Sequence, residues 1–243
     1  MPKRKSCGII CCRYNRNRLE VLLIRKRNTF SFIEFVLGNY SNHKRVVYLL
    51  NNMTSEEKAE IASLDFDRMW YRVWMEININ SKYLHCKEYF YNNFQNTGYL
   101  LRLLNSSSSV STSWEIPKGR IITGETNLNC AIREFEEETG IRNIDYYILP
   151  EIIKQTFSAS NICYHNTYYI SLLTNYNYHP RIDYSKKQLI EVIDIQWMSL
   201  SQILALDMRI YPCIKNAFKI LQKKYKIPRM ISLGINIFPI NFS

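Results

Sequence analysis

The sequence predicts a mixed α/β (α+β) protein in which a block of helices interrupts a core that contains strands. Short, apolar, β-prone runs occur near the N-terminus and again in the second half, whereas the segment between them has a helical pattern. Apolar residues make up 47% of the 243 residues and aromatic residues 14%, which is ample for a buried core. No apolar run reaches the roughly 18 to 20 residues that span a bilayer. We also expect no secretion signal, because the N-terminus lacks an apolar block followed by a small-residue cleavage site. We therefore expect a globular protein without a membrane span.

The first predicted element is a β-hairpin. Gly8–Arg13 and Leu19–Ile24 are both apolar and β-prone, and a polar, arginine-rich connection separates them. In the second half, Tyr168–Leu173 and Leu189–Trp197 have the pattern of strands, and Pro212–Tyr225 that of a basic, amphipathic helix. The tail at 228–243 mixes Asn, Gly and Pro with apolar residues and leaves its structure open.

A helical insert is predicted between about Phe30 and Leu104. Thr54 and Ser55 precede an acidic run, as residues at a helix N-terminus do. The aromatic-rich segment Asp65–Met75 is suited either to packing a core or to stacking on nucleobases, and periodicity does not separate the two. The serine-rich run at 106–113 indicates a loop between domains, with a boundary near residue 108.

The formal charge of +11 is unevenly distributed along the chain. Residues 1–50 hold eleven Lys and Arg against two acids, residues 206–243 hold seven against one, and the middle is net acidic. This distribution is typical of an enzyme that binds a polyanion with its basic ends and cations with its acidic centre. The alternative is that the charges only keep the surface soluble. The seven cysteines fall into no metal-binding spacing, so we expect free thiols in a reducing cytosol.

The segment from Gly119 to Ile141 carries the candidate chemistry. Its spacing predicts a helix between Thr126 and Gly140, with the glycine as C-terminal cap. Three residues lie at i, i+4 and i+7 and are expected to form its buried face: Leu128, Ile132 and Phe135.

Three glutamates of this helix, Glu134, Glu137 and Glu138, are expected to form a ridge away from the apolar face. Like charges at these spacings destabilise a helix, so a positive partner is expected. Carboxylate oxygens suit hard cations such as Mg²⁺ or Mn²⁺. The alternative is a solvated acidic face neutralised by Arg133 and Arg142.

The complete spacing of the segment Gly119–Ile141, which we call the box, resembles the Nudix signature at every fixed position. It reads glycine, five residues, Glu125, seven residues, Arg133-Glu134, and then the remaining acids, Gly140 and an apolar residue. The resemblance implies a Nudix α/β/α sandwich, here with the helical insert between the N-terminal hairpin and the core. It also implies metal-assisted hydrolysis of a nucleoside diphosphate that is linked to another moiety.

The resemblance also implies roles for individual residues. Glu134, Glu137 and Glu138 are the expected metal-binding carboxylates, with the Gly119 carbonyl as a further ligand. Glu125 is expected to pair with Arg133 or to reach the metal shell. Glu134 is the first choice for the general base. The alternative from outside the box is Glu191, just ahead of a predicted strand, which is equally well interpreted as an ordinary acid at a strand edge.

Other segments resemble one Nudix group in particular. Trp114–Gly119 is similar to the segment before the box of eukaryotic and viral mRNA-decapping enzymes. Asn51–Thr54, Leu64–Tyr71 and Cys130–Ile141 resemble the decapping enzymes of African swine fever virus and other large DNA viruses. That resemblance implies release of the 5′ cap as methylated guanosine diphosphate, leaving 5′-monophosphate RNA. It further implies mRNA turnover and host shutoff in the host cytoplasm.

Those enzymes also hydrolyse diphosphoinositol polyphosphates, so a diphosphoinositol or free-nucleotide pyrophosphohydrolase is the alternative. We favour capped RNA, because the helical insert and the C-terminal lysines would be surplus for an inositol ligand; these lysines are Lys219, Lys223, Lys224 and Lys226. The third hypothesis is a non-catalytic RNA-binding protein on a Nudix scaffold, but the presence of Glu134, Glu137 and Glu138 argues against it. The residues expected to attract either polyanion are Lys3, Arg4, Lys5, Arg25, Lys26, Arg27 and Lys118.

These inferences predict four parts of the chain. They are a hairpin joining the core (1–30), a helical insert that is a candidate for RNA binding (31–108), the Nudix core (109–227) and the tail (228–243).

Overall fold

The structure is a computed structural model that describes residues 2–16, 18–94, 97–159, 162–175, 180, 182, 185–206 and 209–226. The tail at 228–243 lies outside the described residues. The chain divides into two compact units. One comprises Met1–Leu23, Ile116–Arg181 and Ile195–Ser243, and the other comprises Ile24–Glu115 and Ile182–Asp194.

The described residues form strands and helices that together give the predicted mixed α/β class. The strands are β1 (Lys3–Asn15), β2 (Arg18–Lys26), β3 (Trp114–Glu115), β4 (Lys118–Arg120), β5 (Tyr146–Ala159), β6 (Ile162–Leu173) and β7 (Val192–Met198). The helices are α1 (Phe30–Val36), α2 (His43–Asn51), α3 (Ser55–Ala62), α4 (Phe66–Trp74), α5 (Ser81–Phe94), α6 (Thr97–Ser106), α7 (Asn127–Thr139), α8 (Lys186–Glu191), α9 (Leu200–Leu206) and α10 (Tyr211–Lys224). None of these helices is long and apolar enough to cross a membrane.

The sheet of the first unit is built around β1. This strand pairs antiparallel with β2, which confirms the predicted hairpin, and antiparallel with the short strand β4. Its other edge runs parallel to β6, which is in turn antiparallel to β5. The central residues of β1, among them Ile9 and Ile10, are fully buried, as expected for a strand with apolar side chains on both faces.

The second unit holds helices α1 to α6, whose apolar side chains form one buried cluster. Thr54 caps α3 and forms a capping box with Glu57, which confirms the predicted helix start. Phe66 and Trp70 of α4 are buried in this cluster, and the Trp70 ring stacks on Trp74 with centroids 4.1 Å apart. Core packing is therefore the role of these α4 aromatic residues.

The strand predicted at Leu189–Trp197 begins later than expected. Residues 186–191 form α8, because the Ser185 side chain accepts a hydrogen bond from the Gln188 backbone and caps a helix there. The strand β7 starts only at Val192. All seven cysteines are free thiols, as predicted, and all but Cys163 are buried.

Candidate active site

The box helix α7 begins and ends as its sequence predicts. The Thr126 side chain accepts a hydrogen bond from the Asn129 backbone at 3.1 Å and so caps the N-terminus. Gly140 adopts a left-handed conformation (φ 73°), and its N–H donates to the Glu136 carbonyl at 2.8 Å. These two caps fix the length of the helix that carries the acids.

The buried face of α7 differs from the prediction. Leu128 is exposed and Ile132 only half-buried, whereas Cys130, Ala131 and Phe135 are fully buried. The small side chains at 130 and 131 let α7 lie close to β1 and β4. The helix is therefore rotated about its axis relative to the expected orientation.

This rotation places two of the three acids on the buried face, so the prediction of an acidic ridge away from the apolar face was wrong. Glu134 retains 8% of its accessible surface and Glu138 only 2%, while Glu137 is half-buried. Burial of a carboxylate is costly unless it is paired and hydrogen-bonded. Buried Glu134 and Glu138 therefore require ion-pair or hydrogen-bond partners.

Arg133 is the centre of those contacts. Its Nε and Nη2 donate to the two Glu125 carboxylate oxygens at 2.8 and 3.0 Å, a bidentate ion pair. Its Nη1 donates to Glu134 at 2.7 Å and to Glu137 at 3.0 Å. Hydrogen bonds from Arg133 lower the pKa of Glu125 to about 2, and those acids in turn raise the pKa of Arg133. The pairing that the box implies between Glu125 and Arg133 is present.

The strand β4 covers the two buried acids. The Lys118 backbone N–H donates to the Glu138 carboxylate at 2.8 Å. Gly119 lies directly over Glu134, because a Cβ added to Gly119 would be only 2.0 Å from the Glu134 carboxyl carbon. Because glycine has no Cβ, the Glu134 carboxylate can lie against the backbone of residue 119, whose carbonyl is the further expected metal ligand.

Two further residues belong to this site and were missed at the sequence level. The Arg120 carbonyl accepts from Arg133 Nη2 at 3.1 Å. The Cys130 thiol donates to the Gly119 carbonyl with a separation of 3.6 Å, and burial raises the pKa of this thiol to about 12, so it stays protonated. The only signals in the sequence are that Arg120 follows Gly119 and that Cys130 lies three residues before Arg133.

The donor set fits a divalent cation in its chemistry. The Arg133 guanidinium pairs with three carboxylates, so the four side chains together carry a net charge of −2; the carboxylates are those of Glu125, Glu134 and Glu137. Carboxylate oxygens are the ligands that Mg²⁺ and Mn²⁺ prefer. Within the described residues, however, no three His, Cys, Asp or Glu side chains are already arranged around a common metal position. The carboxylates instead face N–H donors, which a bound ion would have to share or replace.

The candidate residues outside the box fall in both units. Lys3, Arg4 and Lys5 lie on β1 and Lys118 on β4, all in the unit that contains the box.

The other candidates belong to the second unit and contact other groups there. The Arg25 guanidinium lies over the Trp114 ring at 5.7 Å, and Arg27 Nε donates to the Leu189 carbonyl. Glu191 is the last residue of α8 and pairs with Lys26 at 3.0 Å.

The chain is similar to known proteins along most of its length. The NUDIX domain family model matches residues 93–216. The mRNA-decapping protein g5R of African swine fever virus (isolate Pig/Kenya/KEN-50/1950) is 34% identical over 245 residues, which cover 93% of this chain and 100% of that protein. A relative from Acanthamoeba polyphaga mimivirus is 26% identical and is covered over 70% of its length, with 93% of this chain aligned.

Among solved structures, a C. elegans Ap4A hydrolase binary complex is similar with a TM-score of 0.49 and 13% identity, covering 91% of this chain and 98% of that one. That likeness is too low to bear on function. The matched family model and the full-length viral relative establish the family: the chain belongs to the NUDIX family.

Proposed function

We propose that this protein is an mRNA-decapping pyrophosphohydrolase that removes the 5′ cap as methylated guanosine diphosphate and leaves RNA with a 5′-monophosphate. The observation that carries the proposal is the intact set of box acids gathered by Arg133 under β4. The 34% identity to a viral mRNA-decapping protein along its entire length supports this choice of substrate. A non-catalytic scaffold would have no need of buried carboxylates, which are costly to keep.

Glu134, Glu137 and Glu138, with the Gly119 carbonyl, would hold Mg²⁺ or Mn²⁺. Such an ion supplies neutralisation of phosphate oxygens and activation of a water molecule. Arg133 positions the carboxylates of Glu134 and Glu137. The Lys118 N–H orients Glu138, and the Lys118 ammonium group would contact a substrate phosphate.

Glu134 is the proposed general base, because its carboxylate lies against Gly119 within the box. Glu191 is the alternative from outside the box. Both carboxylates are held in ion pairs, Glu134 with Arg133 and Glu191 with Lys26.

The RNA chain would be held by basic residues. The charge density of the first fifty residues supports a role for Lys3, Arg4 and Lys5. The insert at 31–108 has eight basic and eight acidic residues, so it adds no net charge. Exposed aromatic side chains such as Tyr48 and Tyr71 would offer stacking contacts to RNA there. The host cytoplasm, where capped messages are translated, is the proposed place of action.

The experiment uses RNA labelled in the cap, incubated with the protein and Mg²⁺ or Mn²⁺, and in parallel with a chelator. The expected result is ion-dependent release of labelled methylated guanosine diphosphate. Release of a monophosphate would place cleavage at a different bond. No release from RNA, together with hydrolysis of a diphosphoinositol polyphosphate, would replace this proposal by the diphosphoinositol function.

A further inference from the structure

The register of the first unit places a row of aromatic and cationic side chains on one face of its sheet. Arg4 on β1 is the partner of Tyr164 on β6, which is the partner of Phe157 on β5. In the adjacent row, Ser6 on β1 is the partner of Arg120 on β4. Because partners across a sheet share a face, these residues lie on the same side.

Side-chain contacts confirm that this face is distinct from the one covered by α7. The Phe157 and Tyr164 rings stack at 5.0 Å with an interplanar angle of 10°. A Cβ added to Gly8 would be 2.6 Å from the Lys118 Cβ, so Lys118 lies on this face too. The intervening residue Gly119 faces Glu134 of α7 instead. Lys118 and Arg120 therefore flank Gly119 and have their side chains on the aromatic face.

The aromatic pair has a rigid support and an accessible edge. Next to it, Asn166 is buried and donates to the Gln155 side chain at 3.2 Å and to the Tyr168 hydroxyl at 3.1 Å. Phe157, on the edge strand β5, keeps 36% of its surface exposed. An exposed ring on a hydrogen-bonded support is suited to stacking a planar group.

The separation between the cations and the rings matches one nucleotide with its phosphates. Tyr164 lies two strands and two residues from Arg120, which is about 12 Å at ordinary strand spacing and rise. Phe157 lies one strand farther, at about 16 Å. Gly119, between Lys118 and Arg120, carries the carbonyl that is proposed as a metal ligand. A phosphate chain that starts at this point of β4 and passes Arg120 and Arg4 would therefore bring an attached base to the aromatic pair.

We propose that the Phe157–Tyr164 pair is the stacking platform for a nucleobase attached to the scissile pyrophosphate, with Arg4 and Arg120 contacting the phosphates. This inference rests on the proposed function. The base comes either from the methylated guanosine of the cap or from the first residue of the RNA, and both have the same planar chemistry.

The test measures equilibrium binding by calorimetry for the full-length wild type and three variants. Phe157→Ala removes the ring, and Phe157→Trp retains an aromatic face. Ile152→Ala is the matched control, because Ile152 is an exposed apolar residue of the same strand and its partner Tyr169 is on the α7 side. The probes are methylated guanosine diphosphate, an uncapped RNA trinucleotide with a 5′-diphosphate, and inorganic pyrophosphate.

Because Phe157→Ala removes the ring on which a base would stack, we expect this variant to bind one of the two nucleotide probes about tenfold more weakly than the wild type. Pyrophosphate binding stays unchanged, and Phe157→Trp restores affinity. Weakening confined to the guanosine probe assigns the platform to the cap, and weakening confined to the trinucleotide assigns it to the RNA. Equal changes for all three probes, or no change beyond that of Ile152→Ala, would overturn the proposal. A failure to release cap label from RNA would reject the proposed function without altering these binding results.

Discussion

Replacing Gly119 by alanine tests the geometry of the box most sharply. The added Cβ would lie 2.0 Å from the Glu134 carboxyl carbon and 2.2 Å from each of its oxygens. Ordinary contact between heavy atoms is about 3.5 to 4 Å, so the carboxylate has to retreat by about 1.5 Å. That movement breaks its 2.7 Å contact with Arg133 and displaces a proposed metal ligand. A misplacement of about 1 Å can cost on the order of 100-fold in rate.

We therefore expect Gly119→Ala to lower kcat/KM for cap-labelled RNA by about 100-fold, which corresponds to about 2.7 kcal/mol of lost transition-state stabilisation. Gly124→Ala is the matched control within the same box. A Cβ at Gly124 meets no atom within 4 Å, but its φ of 83° is strained for alanine. This control should lose about 1 to 2 kcal/mol of stability and little activity. The reasoning is refuted if Gly119→Ala retains near-normal kcat/KM, or if Gly124→Ala loses as much.

Three further predictions follow from the same contacts. Arg133→Lys keeps the charge but loses the planar fork, so turnover should fall by about 10- to 100-fold; unchanged turnover would contradict its positioning role. The pKa of Glu125 is lowered from 4.5 to about 2 by Arg133, so the pair stabilises the fold fully above pH 4.5 and less as the pH falls towards 2. The melting-temperature difference between wild type and Glu125→Gln should shrink over that range, and a constant difference would be evidence against the pairing. Replacing the three basic residues at the start of β1, Lys3, Arg4 and Lys5, by glutamate should weaken RNA binding and flatten its salt dependence. A salt dependence equal to that of wild type would show that these residues do not contact the RNA.

The local signals in the sequence were sufficient for the box and its helix. Thr126 and Gly140 cap α7 because their residue types satisfy the helix ends, which depends on no distant contact. The capping box of Thr54 and Glu57 is local in the same sense. The acids that meet Arg133 are fixed by their spacing within one helix and the loop before it.

The orientation of α7 depends on tertiary packing and was not predictable in this way. Leu128 and Phe135 define one apolar stripe, whereas Ala131 and Phe135 define another, and periodicity does not rank them. The structure buries the second stripe because small side chains permit close contact with the sheet. Glu134 and Glu138 are consequently buried instead of lying on an exposed ridge.

The register of the sheet could likewise not be predicted from the sequence. Nothing local shows that Phe157 is the partner of Tyr164 or that Arg4 lies beside them, because these pairings join separate strands. The strand predicted from Leu189 began too early, because a short run of apolar side chains does not distinguish a strand from a helix, and a short helix capped by Ser185 precedes the strand.

The most direct test of the central claim compares wild type with Glu138→Gln. Glutamine retains an oxygen that accepts the Lys118 N–H, but it removes one negative charge from the proposed metal site. Both proteins are incubated with cap-labelled RNA and Mg²⁺ or Mn²⁺, and RNA binding is measured in parallel. The account predicts that wild type releases methylated guanosine diphosphate while the variant binds RNA normally and releases almost none. Equal release by the two proteins would contradict the assignment of the reaction to this box.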